Sequence, residues 1–209
     1  DILNICPRFW QFFPGHRRVK LAPDVAYDTP SPYSGGNMTM DEGQVFGGPL
    51  DRYDWKLIGK TEKYISYNAF NLSDYRFCHE DKILSTKHFP NPDCVRWELH
   101  GVWVVHATVK PGLRHIYPKR IMYWDEDSYG AGMADNYDAS GKIYRMTWLA
   151  FFPRWEGGSQ SSYTYTHDFQ TGVYSTQAMT SYPGTGVGPT QPQPDVYYSP
   201  EALAGEGIR

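Results

Sequence analysis

The sequence predicts a mainly β fold of antiparallel strands, on three observations. Apolar and polar residues alternate from Val95 to Val109, aromatic residues reach 16% with seventeen Tyr and seven Trp, and turn sequences rich in Gly, Pro, Asp and Ser recur between apolar runs. Aromatic and β-branched side chains suit a half-buried pleated surface better than a helix. A period of two sends successive side chains to opposite faces of a strand. At 209 residues the chain accommodates a single β-rich domain over 1–209.

Each element follows from local chemistry. The turn Pro14-Gly15 introduces a short strand at Arg17 to Leu21, and Asp28 to Leu50, rich in Gly and Pro, reads as a long loop. Trp55 to Tyr67 is a long strand candidate with mixed faces. In Val95 to Val109 the apolar face carries Val95, Trp97, Leu99, Gly101, Trp103, Val105, Ala107 and Val109. Pro111 and Gly112 end it, and His115 to Trp124 reads as the next strand, with Pro118 marking a bulge or an edge.

The acidic turn Asp125 to Ser128 leads to a strand around Tyr129 to Tyr137, and Asp138-Ala139-Ser140-Gly141 turns the chain into Lys142 to Phe152. Large apolar groups on both faces of that last segment predict a central strand covered on two sides. Tyr163, Tyr165, His167 and Phe169 share one face of a further strand, and Gly172 precedes another that runs to about Thr180. Seven or eight strands in a meander result. Residues 181–195 read as a second long loop, and Ser199, Pro200 and Glu201 open a short terminal helix that Gly205 is expected to end.

Charge narrows the function classes. Twenty Lys plus Arg against twenty-three Asp plus Glu give a net charge of −3 with no basic stripe, which argues against nucleic acid as a partner. No apolar run approaches the roughly 20 residues that span a bilayer, and Asp1 to Cys6 lack the plan of a signal peptide. Of three cysteines, Cys78 and Cys94 lie sixteen positions apart around a polar stretch, and a bridge between them is favoured over two free thiols. Cys6 is then odd, a free thiol or one with a partner outside the chain.

Candidate sites each have a plain structural reading. Cys78, His79, His88 and Cys94 would supply a Cys₂His₂ zinc set, but their spacing is irregular. His100 and His106 lie about 20 Å apart in an extended strand, too far to share a metal, and read as solvated. The groups Asp125, Glu126, Asp127 and Asp135, Asn136, Asp138 offer oxygen ligands for calcium, yet each falls at an expected hairpin turn, where Asp and Asn serve the backbone. No metal or cofactor is therefore assigned. No nucleophile elbow, zinc-protease motif or phosphate-cradling loop is present, and no catalytic residue is assigned. Trp97, Leu99, Trp103, Tyr144, Trp148, Tyr163 and Tyr165 would either line a greasy concave pocket or form the core.

Several motifs in order carry a resemblance. They are His16 through Pro30, Val45-Phe46-Gly47-Gly48-Pro49, Asp51-Arg52-Tyr53-Asp54-Trp55-Lys56-Leu57-Ile58-Gly59-Lys60, Tyr64 through Asn68, Arg96 through Val105, Arg114 through Arg120, and Tyr198 through Leu203. Together they resemble a family of proteobacterial periplasmic proteins of unknown function described as outer-membrane lipoprotein-sorting-like, and this chain resembles its C-terminal half. Phe77-Cys78-His79-Glu80 departs from the pattern, since no cysteine is expected there.

The resemblance implies a strongly curved antiparallel sheet forming an incomplete barrel around an apolar cavity, in a periplasmic protein secreted through a signal peptide. It implies a lipid or other apolar ligand, with an outer-membrane β-barrel and an efflux-type exporter for company. The alternative is a structural or assembly protein that docks to a missing N-terminal segment, a partner or copies of itself through strand edges and loops.

Overall fold

The computed structural model describes residues 10–13, 18–21, 27–130, 132–153, 160–177 and 191–206. Two strands, β1 (Trp10–Phe13) and β2 (Arg18–Leu21), pair with each other. Seven more form one antiparallel sheet: β3 (Tyr53–Ser66), β4 (Trp97–Val109), β5 (Lys119–Asp125), β6 (Gly132–Tyr137), β7 (Ile143–Pro153), β8 (Gln160–Asp168) and β9 (Tyr174–Gln177). Their order in the sheet is their order in the chain, so it is a meander. Turn chemistry fixes the hairpins: Asp138 Oδ1 accepts the Ser140 and Lys142 amides between β6 and β7, and Asp168 Oδ1 accepts those of Gln170 and Thr171 between β8 and β9.

The sheet is strongly curved. In a flat sheet, strands three and four places apart would lie about 14 to 19 Å from each other, yet β3 comes within contact distance of both β6 and β7. Irregularities in register at Leu57/Gly59 and Asn136/Tyr137 supply local bends. β3 and β9 do not pair, so the barrel is incomplete.

Register assigns side chains to two faces. Tyr53, Ala107, Arg120, Met122, Ala134, Asn136, Thr147 and Thr166 share one, and Val102, Asp125, Met133, Trp148, Tyr165 and His167 share the other. Different segments cover them. Residues 27–48 lie over the first face, where Val45 packs with Tyr53, Ala107, Met122, Ala134 and Leu149. The chain between β3 and β4, with helix α1 (Glu80–Ile83), covers the second, where Leu72, Ile83 and the Cys78–Cys94 disulfide pack with Trp148, Phe152, Tyr163 and Tyr165. The strand β7 is thus covered on both sides, as its composition predicts.

The structure departs from the sequence expectations at several points. β1 was not expected, because its four residues offer too short a pattern to read. β5 begins after Pro118, and His115 and Tyr117 leave the strand to be buried beneath the 27–48 segment. Asp135 and Asn136 belong to β6 rather than to a turn. The single apolar face expected for β4 does not hold: Leu99 is 53% exposed whereas Val102, on the opposite face, is fully buried with Ile65 and Phe151. Curvature changes which face meets a neighbour along one strand. The terminal helix α2 (Pro200–Glu206) is capped by Ser199 Oγ as expected but runs through Gly205. Cys6, the Pro14-Gly15 turn, Arg17 and residues 181–190 lie outside the described residues.

Candidate functional site

The first face is not a void. At its centre Glu42 is fully buried and accepts hydrogen bonds from the Thr39 amide (2.6 Å), the Tyr117 hydroxyl (3.1 Å), Asn136 Nδ2 (3.1 Å) and Thr147 Oγ1 (2.6 Å). Beside it Asp41 Oδ2 accepts Arg120 Nη1 at 2.9 Å and His115 Nε2 at 3.1 Å. The Tyr117 amide donates to His115 Nδ1, which leaves the ring proton on Nε2, facing Asp41. Arg120 also donates to Asn136 Oδ1 and the Val45 carbonyl.

Burial alone would raise the Asp41 pKa, but Arg120 and His115 outweigh it and hold the carboxyl below its ordinary value. Burial likewise pushes the Tyr117 hydroxyl far up, which keeps it a neutral donor to Glu42. Residues 27–48 therefore act as a charged plug, with every buried charge matched by a donor or acceptor from the sheet.

Where the plug stops, an apolar trough opens. Leu57, Trp103, Val105, Trp124 and Tyr129 line a recess of about 530 Å³, within the range of small-molecule sites. An adjoining recess of about 380 Å³ shares Trp124 and Tyr129 and is also lined by Met40, Gln44 and Phe46 of the plug. Register explains the lining, since Leu57 pairs with Val105 and Trp103 with Trp124 on one face. Gly132, opposite Trp124, has room for no Cβ: one built there would lie 2.4 Å from the Tyr123 carbonyl and 3.4 Å from the Trp124 ring. Phe46, Tyr53 and Trp55 form an aromatic wall behind, with Phe46 and Trp55 centroids 5.0 Å apart.

The rim is set by the β5–β6 turn. Asp125 is fully buried; its Oδ1 lies 2.8 Å from His100 Nδ1, and its Oδ2 accepts the Ser128 amide and hydroxyl. That anchorage holds Tyr129 at φ 52 and leaves its ring 67% exposed above the trough. His100, Asp125 and Asp127 bring potential ligand atoms within 4.8 Å of one another. His100 is accordingly not the solvated histidine expected, because its ring also packs, tilted, against Tyr67 with centroids 4.3 Å apart.

The seven pocket candidates separate. Trp103 lines the trough. Trp148, Tyr163 and Tyr165 are at most 2% exposed inside the core under the disulfide segment. Tyr144 accepts Arg145 Nη2 on its hydroxyl and packs against Tyr117, at the far side of the plug. Trp97 and Leu99 are 41% and 53% exposed further along β4, with Trp97 leaning on Trp148 at 4.9 Å. Leu57, Trp124, Val105 and Tyr129 were missed. Their signal is cross-strand register, which no single strand reveals. The Cys78–Cys94 bridge takes both thiolates out of the Cys₂His₂ set.

Residues 3–204 match the family described as "Protein of unknown function (DUF1329)". An uncharacterized protein of Pseudomonas aeruginosa is 46% identical over 137 residues, covering 66% of this chain and 30% of that protein. The chain thus spans about a third of the length of the curated relative it matches. Two solved structures share the fold. One, from Vibrio parahaemolyticus, is described as a candidate outer membrane lipoprotein-sorting protein domain; its TM-score is 0.54 at 11% identity, over 97% of this chain and 68% of that one. The other, a DUF1329 family protein from Desulfovibrio piger, gives 0.51 at 13% identity, over 96% and 66%.

Proposed function

The chain belongs to the DUF1329 family, and on that premise we propose that it is a periplasmic binding protein that holds the acyl chain of a lipid, or a similar apolar ligand, at the outer membrane. The observation that carries the proposal is the trough of Leu57, Trp103, Val105, Trp124 and Tyr129, an apolar concavity left open beside a face otherwise filled by a charged plug. The Cys78–Cys94 bridge supports an oxidising compartment. The fold shared with a candidate lipoprotein-sorting domain supports a lipid-related role. The activity proposed is binding and transfer, without bond-making chemistry.

Native mass spectrometry of the protein mixed with palmitate tests it. A one-to-one adduct is expected, and Leu57→Asp, at a side chain already 60% exposed, should weaken it at least about tenfold by placing a charge against the chain. A protein that stays ligand-free, or an adduct indifferent to Leu57→Asp, contradicts the proposal.

A second function is favoured by one observation. The fourteen residues of β3 form an edge with no strand beyond it among the described residues, a template for another strand. Lys56, Lys60 and Lys63 on that edge oppose casual pairing, so a partner would have to supply acidic residues. Size-exclusion chromatography across concentrations tests self-pairing, and a monomer throughout removes it.

A further inference from the structure

The trough ends at a charge pair. On the face that carries Leu57, Trp103 and Val105, register places Lys60 opposite Trp103 and Glu62 opposite Gly101. The Lys60 ammonium sits 4.5 Å from the Trp103 ring centroid and is paired with Glu126 from the β5–β6 turn. Gly101 makes this geometry possible. A Cβ built there would lie 2.3 Å from Glu126 Oε1, so the bare backbone lets the Glu126 carboxylate fold down across β4. Beyond the pair the same face continues with the exposed side chains of Tyr64 and Leu99. The Lys60–Glu126 bridge, with Glu62 next to it, thus separates the trough from the apolar side chains further along the face.

Both partners remain accessible, with side chains 50% and 34% exposed, and a solvent-screened pair separates easily. A ligand group carrying both signs could take each partner in turn. The balance of charge around the bridge is acidic: Lys60 is paired with Glu126, Glu62 lies two positions on along the same face, and Asp127 follows Glu126 in the turn. Aromatic faces at Trp103 and Tyr129 add surfaces that favour an ammonium. An anionic headgroup with no amine would meet one lysine already paired with Glu126, and Glu62 beside it on the same face.

Resting on the apolar-ligand proposal above, we infer that the trough selects amphiphiles with an amine-bearing, zwitterionic headgroup of the phosphoethanolamine type. Its ammonium replaces Lys60 at Glu126, its phosphate takes Lys60, and its acyl chain lies over Trp103, Val105 and Leu57.

The experiment compares lysophosphatidylethanolamine with lysophosphatidylglycerol, both with the same brominated acyl chain, by quenching of tryptophan fluorescence. The ethanolamine lipid should bind at least about fivefold more tightly, as expected for one exchanged ion pair. Glu62→Gln with Glu126→Gln should bring the ratio to about one while quenching persists, because Glu62 is exposed and the solvent-accessible Lys60–Glu126 pair contributes little to stability. Equal affinity for the two lipids, or preference for the glycerol lipid, overturns the headgroup inference and leaves the apolar trough standing. Absence of quenching by either lipid removes the trough as a binding site, and the inference with it.

Discussion

The two faces of the sheet are sealed by opposite chemistries. Residues 27–48 are held on one by a buried ionic network around Asp41, Glu42, Arg120 and Arg145. The chain between β3 and β4 is held on the other by apolar packing and one disulfide. Charged contacts demand complete satisfaction, so the plug ends where its partners end and leaves the neighbouring apolar surface bare. Apolar packing makes no such demand, and the disulfide side closes over Trp148 and Tyr165, which it buries. The open trough follows from this difference: it lies where a polar cover stops on an apolar sheet.

Removing a charge from the plug should break the comparison most severely. Arg120→Met leaves the buried Asp41 carboxylate without its guanidinium, and a loss of about 3 to 5 kcal/mol in denaturant unfolding is expected. Cutting the opposite cover should cost less. Cys78→Ser with Cys94→Ser opens a loop of sequence separation 16, and a loss of about 3 kcal/mol is expected from the same measurement. If the disulfide variant proved the weaker of the two, the charged face would not be the more tightly specified.

The disulfide side also carries a pH-sensitive contact. Trp148 Nε1 donates to His167 Nε2 at 2.8 Å, and His167 Nδ1 faces the His88 carbonyl, so the ring is neutral with its proton on Nδ1. Burial lowers the His167 pKa below 6.5, against a smaller raising effect of the His88 carbonyl. The unfolded chain therefore binds the proton more readily. Stability should be full above pH 6.5 and fall as the pH drops from there toward the depressed folded value. Denaturant midpoints at successive pH values should slope in this window, and His167→Gln should flatten the slope.

The smallest effect on stability is expected at the trough itself. Leu57→Asp changes an exposed position and should alter stability by no more than about 0.5 kcal/mol, so its effect on ligand binding can be read without loss of fold.

Much of the sheet was legible because its strands carry their own pattern. Val95 to Val109 announces β4, and Asp138 to Gly141 its hairpin, through chemistry contained in a few consecutive residues. The Cys78–Cys94 pairing was legible for the same reason. The plug was not: Asp41, Glu42 and Arg120 are ordinary in sequence and become a network only when residues more than 70 positions apart meet. The trough was half legible. Trp103 belongs to a readable strand, but its partners Trp124, Leu57 and Tyr129 depend on register and on a turn anchored by His100 to Asp125.

The most direct test separates the open trough from the filled core by their tryptophans. In ¹H–¹⁵N spectra, titration with a sixteen-carbon lysophospholipid below its micelle concentration should shift the indole N–H signals of Trp103 and Trp124, which line the trough. The Trp148 signal, locked to His167, should stay in place. Movement of Trp148 without Trp103, or no indole shift at all, would contradict a binding site at the end of the plug.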